Sequence, residues 1–484
     1  MNGVVKRMGL PEYTGISFDP DPTVRSASAK ACLSGEHYIA FCELKGQPLR
    51  RIRGIPMYWA GTHWEAIDDR ELECVGSTVM RLDWRTRNLT TDSLLKEFRA
   101  SVIRWLPVVE IPKSTSIKVN FRNGTLWIDA DTGERVLKPH SKDDYLINCL
   151  PYDYDPEATA PVYERVLREW LPDEEERERL HQVVSCAFIQ KEVRRMEVSL
   201  YLFGSGGTGK TTHLNHLANV FGRGNTSYVG MRELTSQITG VFSAVGKLIN
   251  IDDEAPAVLT GNRFKALVSR SVLEFKQLYK EPIATDAIPM LWMASNHRIN
   301  FGDYSDAVYR RIEVFEYKNK PTTVNKNLDN ELETELAGTM NIILNALSRL
   351  IRNNYVIGQT KESKAQLEMQ ERDTDHVAQF LEDITAKKVD FSYNKQYMIP
   401  GVMLREAYAT WCRINGYKPL ANQHYSQSLR KHGYESIRTM VKGIQKTVWN
   451  MTVEDPSYLG GRLLGGMEIN VLPVDSKSAA TLLH

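Results

Sequence analysis

The spacing of apolar and polar positions changes several times along the chain, and each change marks an element. The first fifty or so residues mix turn signals (Pro20, Pro22, Gly35, Gly46) with no long periodic stretch. Tyr58-Trp59-Ala60-Gly61-Thr62-His63-Trp64-Glu65 predicts two short strands around a glycine turn. A helix is predicted over Leu94 to Trp105, with Leu94, Leu95, Phe98, Val102 and Trp105 on one face. Ile117 to Val119 and Thr125 to Ile128 flank Asn123-Gly124, a pair suited to the positive φ angles of a tight hairpin. After a connector at Pro151 to Pro156, Val162 to Trp170 and Glu175 to Phe188 read as amphipathic helices.

From there the pattern alternates. Val198 to Phe203, Lys247 to Ile251 and Met290 to Ala294 are short, unbroken apolar runs, as strands covered on both faces require. The chain reads as helical again from Asn330 to Leu350 and as a polar linker from Gly358 to Asp375. It then shows two helices, Val402 to Arg413 and His424 to Lys431, and a strand-like Gly443 to Met451. The expected fold class is α/β with a parallel-sheet core. The expected division is an N-terminal domain over 1–160, the core over 161–355, a C-terminal domain over 377–452 and a tail over 453–484.

Composition changes this picture little. With 61 Lys+Arg against 60 Asp+Glu in 484 residues, the chain carries a formal charge of +1. Any nucleic-acid contact must then come from local patches. Six scattered cysteines with no CxxC pair argue against a zinc ribbon or a disulfide scaffold and fit a reducing compartment. Met1 to Leu10 shows no secretory core, and no apolar run approaches a membrane span, so a soluble cytoplasmic protein with no membrane partner is expected.

The chemistry concentrates in the core. Gly204-Ser205-Gly206-Gly207-Thr208-Gly209-Lys210-Thr211, followed by Thr212, matches GxxxxGK[ST] between a predicted strand and a predicted helix. That order aims backbone N–H groups and a helix N-terminus at phosphate. Lys210 would reach the β and γ phosphates of ATP, and the Thr211 hydroxyl would ligate Mg²⁺. About forty residues on, Asp252-Asp253-Glu254 ends an apolar strand. Asp253 suits the metal and Glu254 the catalytic base, with Asp252 able to share the metal role. Asn296, at the end of MLWMASN, can hydrogen-bond a γ phosphate or the attacking water. Arg310 and Arg311 precede another apolar run, and a guanidinium can stabilise charge on a transferring phosphoryl group. The histidines His213, His216, His424 and His432 lack partners at metal-ligand spacing and read as packing or surface residues.

The ordered set GSGGTGKTT, INIDDE, Glu274 to Pro282, MASN and DAVYRRIEVF resembles the superfamily 3 helicases of the AAA+ class. More narrowly, it resembles the phage/plasmid primase–helicase family related to the poxvirus primase–helicase. YWAGTHWEAI, FRNGTLWIDADTGE and LPYDYDPEA are similar to the domain preceding that family's core, and YATWCRINGYKPL with SQSLRKHGY to its C-terminal winged-helix segment. The resemblance implies a P-loop AAA+-type core in a homo-oligomeric ring, expected as a hexamer. Such a ring hydrolyses ATP at subunit interfaces and moves on single-stranded and forked DNA in the cytoplasm of a bacterial host. It implies Asn296 as the sensor and Arg310 or Arg311 as the arginine acting on a neighbour's nucleotide. Glu274 to Lys280 falls where the family places a pore hairpin, with Lys276, Tyr279 and Lys280 as DNA contacts. The usual Gly-Asp turn before it is replaced by Ser269-Arg270-Ser271-Val272, which leaves open which lysine enters the pore. Relatives often carry a primase domain, but Asp129-Ala130-Asp131 reads as a hairpin turn, so a separate primase is expected as partner.

Residues 401–450 hold eight basic residues (Arg405, Arg413, Lys418, Arg430, Lys431, Arg438, Lys442, Lys446) against Glu406 and Glu435. With Arg430 and Lys431 on the second helix, this is a DNA-docking layout, or a docking or ring-packing module whose basic face is merely solvated. Two other functions fit the motifs: a replication initiator that binds origin DNA and uses ATP only to switch assembly, and an AAA+ scaffold or loader with weak hydrolysis.

Overall fold

The computed structural model describes residues 10, 13, 26–82, 91–236, 241–259, 261–276, 282–299, 308, 310–321, 325–365, 375–388, 399–415, 417, 419–441 and 444–452. The chain forms two compact units, 1–365 and 366–484.

In the first unit, the predicted apolar runs become a five-stranded sheet in the order Ile312–Glu316, Ser199–Phe203, Met290–Ser295, Ile249–Asp252, Thr226–Ser227. Every neighbouring pair is parallel. All six residues of Met290–Ser295 are buried, so both of its faces are covered. Ser199–Phe203 leads through the helix Lys210–Phe221 to the far edge at Thr226–Ser227. The chain then works back to Met290–Ser295, beside its starting strand. Sheets wound this way leave a crevice outside the carboxyl ends of the strands. The fold is mixed α/β, as the alternating pattern predicts.

The apolar cluster behind the sheet does not break at residue 160. Ile117, Ile128, Tyr163, Leu180, Leu202, Trp292 and Leu347 belong to one core, which joins the upstream helices Pro161–Trp170 and Glu174–Ser185 and the later helix Leu336–Arg352 to the sheet. The three-stranded antiparallel sheet Ser116–Phe121, Gly124–Asp129, Arg135–Lys138 packs into the same core. Its first hairpin forms as expected but with Arg122 and Asn123 at the turn, since Phe121 pairs with Gly124. Neither turn residue adopts a positive φ; Asn123 instead exchanges two hydrogen bonds with the Tyr154 backbone, at 3.0 and 2.9 Å. Asp129 Oδ1 accepts from the Asp131 and Thr132 amides, so the Asp-Ala-Asp segment is a turn in which these bonds hold the Asp129 carboxyl low.

Further upstream, a four-stranded sheet in the order Trp64–Ala66, Ile55–Trp59, Leu49–Ile52, Val108–Val109 packs against the helices Ala27–Leu44, Asp69–Leu82 and Asp92–Trp105. Ala27–Leu44 departs from the expectation of no long element there. Its buried face is Ala31, Ser34, Gly35, Tyr38, Phe41 and Cys42, a helical spacing of small residues and two aromatics that hydropathy does not flag. In Asp92–Trp105, Phe98 and Val102 face the core as predicted, whereas Trp105 at the helix end is 57% exposed.

The second unit packs the helices His376–Asp383, Gly401–Ile414 and Asn422–Lys431 with an antiparallel sheet in the order Ile399–Pro400, Ile444–Trp449, Ser436–Val441, around Phe380, Leu404, Tyr408, Tyr425 and Leu429. The expected tail over 453–484 lies outside the described residues. Among the described residues, no helix is long and apolar enough to cross a membrane.

Candidate functional site

Parallel register decides which predicted residues meet. Ser295 pairs with Phe203, and Met293 with Asp252, so three strands end at one edge of the sheet. The loop after Phe203, the Asp253-Glu254 turn and Asn296 all follow from that edge. Arg310 and Arg311 come before Ile312, which pairs with Ser199, and so stand at the opposite edge.

Backbone crowding explains the glycines at both ends of the loop. Gly204 has φ +150°, and a Cβ there would strike the Tyr317 carbonyl; Gly209 has φ +92°, and a Cβ there would strike the Trp170 indole nitrogen. Gly206 and Gly207 have open space around them. Ser205 is exposed, and the Thr208 hydroxyl closes the loop by donating to the Ser205 carbonyl at 3.0 Å. The helix Lys210–Phe221 begins directly at the loop with no side-chain cap, so no N-cap side chain accepts from its first-turn N–H groups. Thr211 is exposed in that turn, and Thr212 half-buried.

Lys210 Nζ donates to the carbonyls of Gly204 (2.6 Å) and Ser205 (2.9 Å) and to Asn296 Oδ1 (2.9 Å). Burial lowers its pKa. The ammonium thus ties the loop to the end of the neighbouring strand. On the next strand, Asp253 and Glu254 are exposed, whereas Asp252 is not. Asp252 Oδ2 accepts from the Met231 amide at 2.6 Å and Oδ1 from the Glu254 amide at 3.2 Å. Burial raises the Asp252 pKa against those two bonds. Both oxygens therefore accept a backbone amide, which ties the acidic turn to the Met231 backbone.

The two arginines part company. Arg311 is buried, and its guanidinium meets Glu197 at 2.5 Å. Arg310 is exposed. Lys276 is half-buried just beyond the strand Leu273–Phe275, which forms an antiparallel hairpin with Ile283–Thr285. Tyr279 and Lys280 lie outside the described residues. The base of the hairpin rests on upstream residues: Arg53 meets Asp286 at 3.0 Å and Glu192 at 2.7 Å, and Lys191 also pairs with Asp286.

In the second unit, Arg430 and Lys431 end the helix Asn422–Lys431 and are exposed, as is Arg438. Arg405 has a structural place instead, 5.4 and 5.0 Å from the Tyr408 and Tyr425 ring centroids and bonded to the Leu420 carbonyl. Lys418 and Lys442 lie outside the described residues.

Sequence reasoning missed Trp170 and Tyr317, which wall the loop, and the buried chain beneath it. Tyr163 Oη bonds His181 Nε2 (3.0 Å) and His213 Nε2 (3.2 Å), and His213 Nδ1 meets Tyr317 Oη at 2.5 Å. Burial pushes His181 and His216 down to about 4, so these histidines are neutral packing groups. Nothing local in sequence pairs residues so far apart.

Comparison with known proteins gives two family matches. Residues 40–196 match a family described as D5 N terminal like, and residues 202–311 match a family of unknown function, DUF5906. No curated protein matches. Among solved structures, the A form apo structure of the NrS-1 C terminal region shares 14% identity, with 86% of this chain and 98% of that chain covered and a TM-score of 0.43. Two further apo structures of that region (305–718) share 14% identity, cover 85% of this chain and 98% of theirs, and have TM-scores of 0.45. That likeness is too slight to bear on ligand or activity. The chain is similar, then, to D5 N-terminal-like proteins up to the threshold of the five-stranded sheet and to DUF5906 across the strands that carry the glycine loop, the acidic turn and Asn296.

Proposed function

We propose that this chain is the ATP-driven helicase subunit of a phage, plasmid or mobile-element replication system, a primase–helicase relative of the superfamily 3 type. The observation that carries the reading is the bridge from Lys210 to Asn296 at an edge where Asp253 and Glu254 stand exposed. The match of residues 40–196 to a D5 N-terminal-like family supports it.

The residues fit ATP and Mg²⁺. Gly204 to Thr212 offers a loop that side chains would obstruct, a helix N-terminus and a buried ammonium. The Thr211 hydroxyl and Asp253 suit a hard cation that takes its remaining ligands from phosphate and water. Among the described residues, no group of three or more His, Cys, Asp or Glu is arranged to hold a metal alone. Bound nucleotide supplies phosphate oxygens that would draw the Lys210 ammonium away from the Gly204 and Ser205 carbonyls. Asn296 would then orient water, and Glu254 accept its proton. Arg310, at the far edge of the sheet, would serve a neighbouring subunit's nucleotide and not its own. Arg311, paired with Glu197, positions that segment. Lys276 and the hairpin would follow single-stranded DNA, and the second unit, read as a winged helix, would contribute Arg430 and Lys431.

The test is turnover of ATP with Mg²⁺, with and without single-stranded DNA, by wild-type protein and by Lys210→Ala. Stimulation by DNA and its loss together with unwinding in the variant are expected. Unwinding by Lys210→Ala, or wild-type turnover indifferent to DNA, would refute the motor. The exposed Arg430, Lys431 and Arg438 favour one other reading, an ATP-switched initiator. It would melt origin DNA and show no processive strand separation.

A further inference from the structure

The chain sets Ser269-Arg270-Ser271-Val272 where the family resemblance expects Gly-Asp, and the fold gives that departure a cost and a place. The helix Gly261–Val268 ends there. The Arg270 amide donates to the Leu267 carbonyl at 3.0 Å, and the Ser271 amide to the Ala266 carbonyl at 3.1 Å. This pair of bonds puts Arg270 just past the helix cap, where the backbone turns left-handed and glycine is the usual occupant. Arg270 takes φ +46°, a conformation that costs any residue with a side chain free energy and persists at sites that need that side chain.

The Arg270 side chain lines a cavity of about 120 Å³ between the upstream region and the sheet, enclosed by the segments 145–150, 187–191 and 286–288. The cavity shares no lining residue with the glycine loop, the acidic turn or Asn296. Arg270 Nη1 donates to the carbonyl of Ile189, itself on the wall, at 3.1 Å, which fixes the guanidinium there. Among the described residues this is its one hydrogen bond, and no carboxylate pairs with it. Its Nε and Nη2 groups are unpartnered but not sealed: Arg270 is half-buried, and neither atom is among those that burial closes off.

Charge around the cavity is one-sided. Arg53, Lys118, Lys191, Lys247 and Arg270 line it, and Asp286 is the one acid among the lining residues. Asp286 meets Arg53 at 3.0 Å and also pairs with Lys191. Two acids outside the lining, Glu192 and Asp144, take Arg53 and Lys118, each at 2.7 Å. Five cations thus meet three carboxylates, and Arg270 and Lys247 are left without one. Burial, with the Arg53 cation nearby, pushes the pKa of both Arg270 and Lys191 down. Buried cations ordinarily have a counter-charge, and here the described residues supply too few. The volume corresponds to about four waters, room for one tetrahedral oxyanion; pockets for whole drug-sized ligands start at roughly 300 Å³.

We propose that this cavity binds a phosphate group, held by the Nε and Nη2 donors of Arg270 and balanced by the surplus positive charge of the wall. A guanidinium edge offers parallel N–H groups to two phosphate oxygens, which a lysine in its place would not. The group is either free inorganic phosphate or the terminal phosphate of a strand. Asp286 to Ile288 follow directly on the hairpin strand Ile283–Thr285, so the anion sits at the base of that hairpin. The site does not depend on the motor reading: a protein without ATP turnover can still bind here.

The test follows the melting temperature of the full chain as inorganic phosphate replaces chloride at constant ionic strength, and its binding of one oligonucleotide with and without a 5′-phosphate. Phosphate also suits the glycine loop, so Lys210→Ala is measured beside wild type. Arg270→Gly removes the guanidinium and suits the left-handed turn; Arg270→Gln keeps an N–H donor and drops the charge. Saturable stabilisation by phosphate is expected in wild type and in Lys210→Ala, with apparent affinity about tenfold lower in both Arg270 variants. A preference for the phosphorylated oligonucleotide that Arg270→Gly abolishes assigns the group to a strand end; an effect of phosphate alone assigns it to the free ion. The proposal is overturned if stabilisation vanishes in Lys210→Ala, if both Arg270 variants keep wild-type affinity, or if wild type responds to neither probe. Should Arg270→Gly melt early without phosphate, Arg270→Gln decides.

Discussion

Gly209 shows how much of the candidate site rests on one missing methyl group. Its φ of +92° and the Trp170 indole beside it both oppose a side chain. Gly209→Ala should weaken nucleotide binding at least about tenfold, read by titration with a fluorescent ATP analogue, because the loop must shift to admit the Cβ. Trp170→Phe, which removes the indole nitrogen, should recover part of that loss in the double variant. Wild-type affinity in Gly209→Ala alone would mean that nucleotide binds elsewhere. The glycines and Lys210 were legible in the sequence because their spacing along the chain is itself the signal. Trp170 and Tyr317 were not, because they reach the loop only through tertiary packing from positions about 40 residues before it and over 100 after it. The different settings of the three adjacent acids were hidden for a related reason: only the folded chain brings two backbone amides to Asp252 and leaves Asp253 and Glu254 exposed.

Among elements, the unbroken apolar strands were legible because burial on both faces leaves no polar position to confuse the period. The helix Ala27–Leu44 was not, since its contact with Asp92–Trp105 needs small residues: a Cβ on Gly35 would stand 3.0 Å from Ser101 Cβ. The helix after the loop and the one before the sheet share buried histidines, and these predict acid sensitivity. His181 and His216 titrate near 4 when folded and near 6.5 when unfolded. Between those values the unfolded chain binds more protons, so stability is complete above about pH 6.5 and falls as pH drops toward 4. At pH 5 each histidine should cost about 2 kcal/mol relative to pH 7. Melting curves across that range should show the fall, and His216→Gln should make it shallower. The hairpin Leu273–Thr285 carries a separate prediction, because Asp286 at its base holds both Arg53 and Lys191. Asp286→Asn should reduce stimulation of ATP turnover by single-stranded DNA severalfold while leaving DNA-free turnover near wild type. Equal loss of both would make Asp286 a general stability residue.

At the scale of the whole molecule, the sheet sets Arg310 and the glycine loop at opposite edges, so one subunit cannot bring its own Arg310 to its own nucleotide without unmaking the sheet. A head-to-tail ring resolves this, since each copy then lends its far edge to the next copy's loop. Mixing two inactive proteins tests it. Lys210→Ala lacks a working loop but keeps Arg310, and Arg310→Ala lacks the arginine but keeps the loop. In a random equal mixture, about a quarter of interfaces pair a sound loop with a sound arginine, so turnover should reappear at up to about that share of wild type. Arg311→Ala should behave differently. Breaking its buried pair with Glu197 lowers the melting temperature, and any rescue by mixing would be limited by folding. If the mixture of Lys210→Ala and Arg310→Ala stays as inactive as its parts while light scattering shows that the subunits exchange, Arg310 does not act across an interface, and the ring loses its chemical reason.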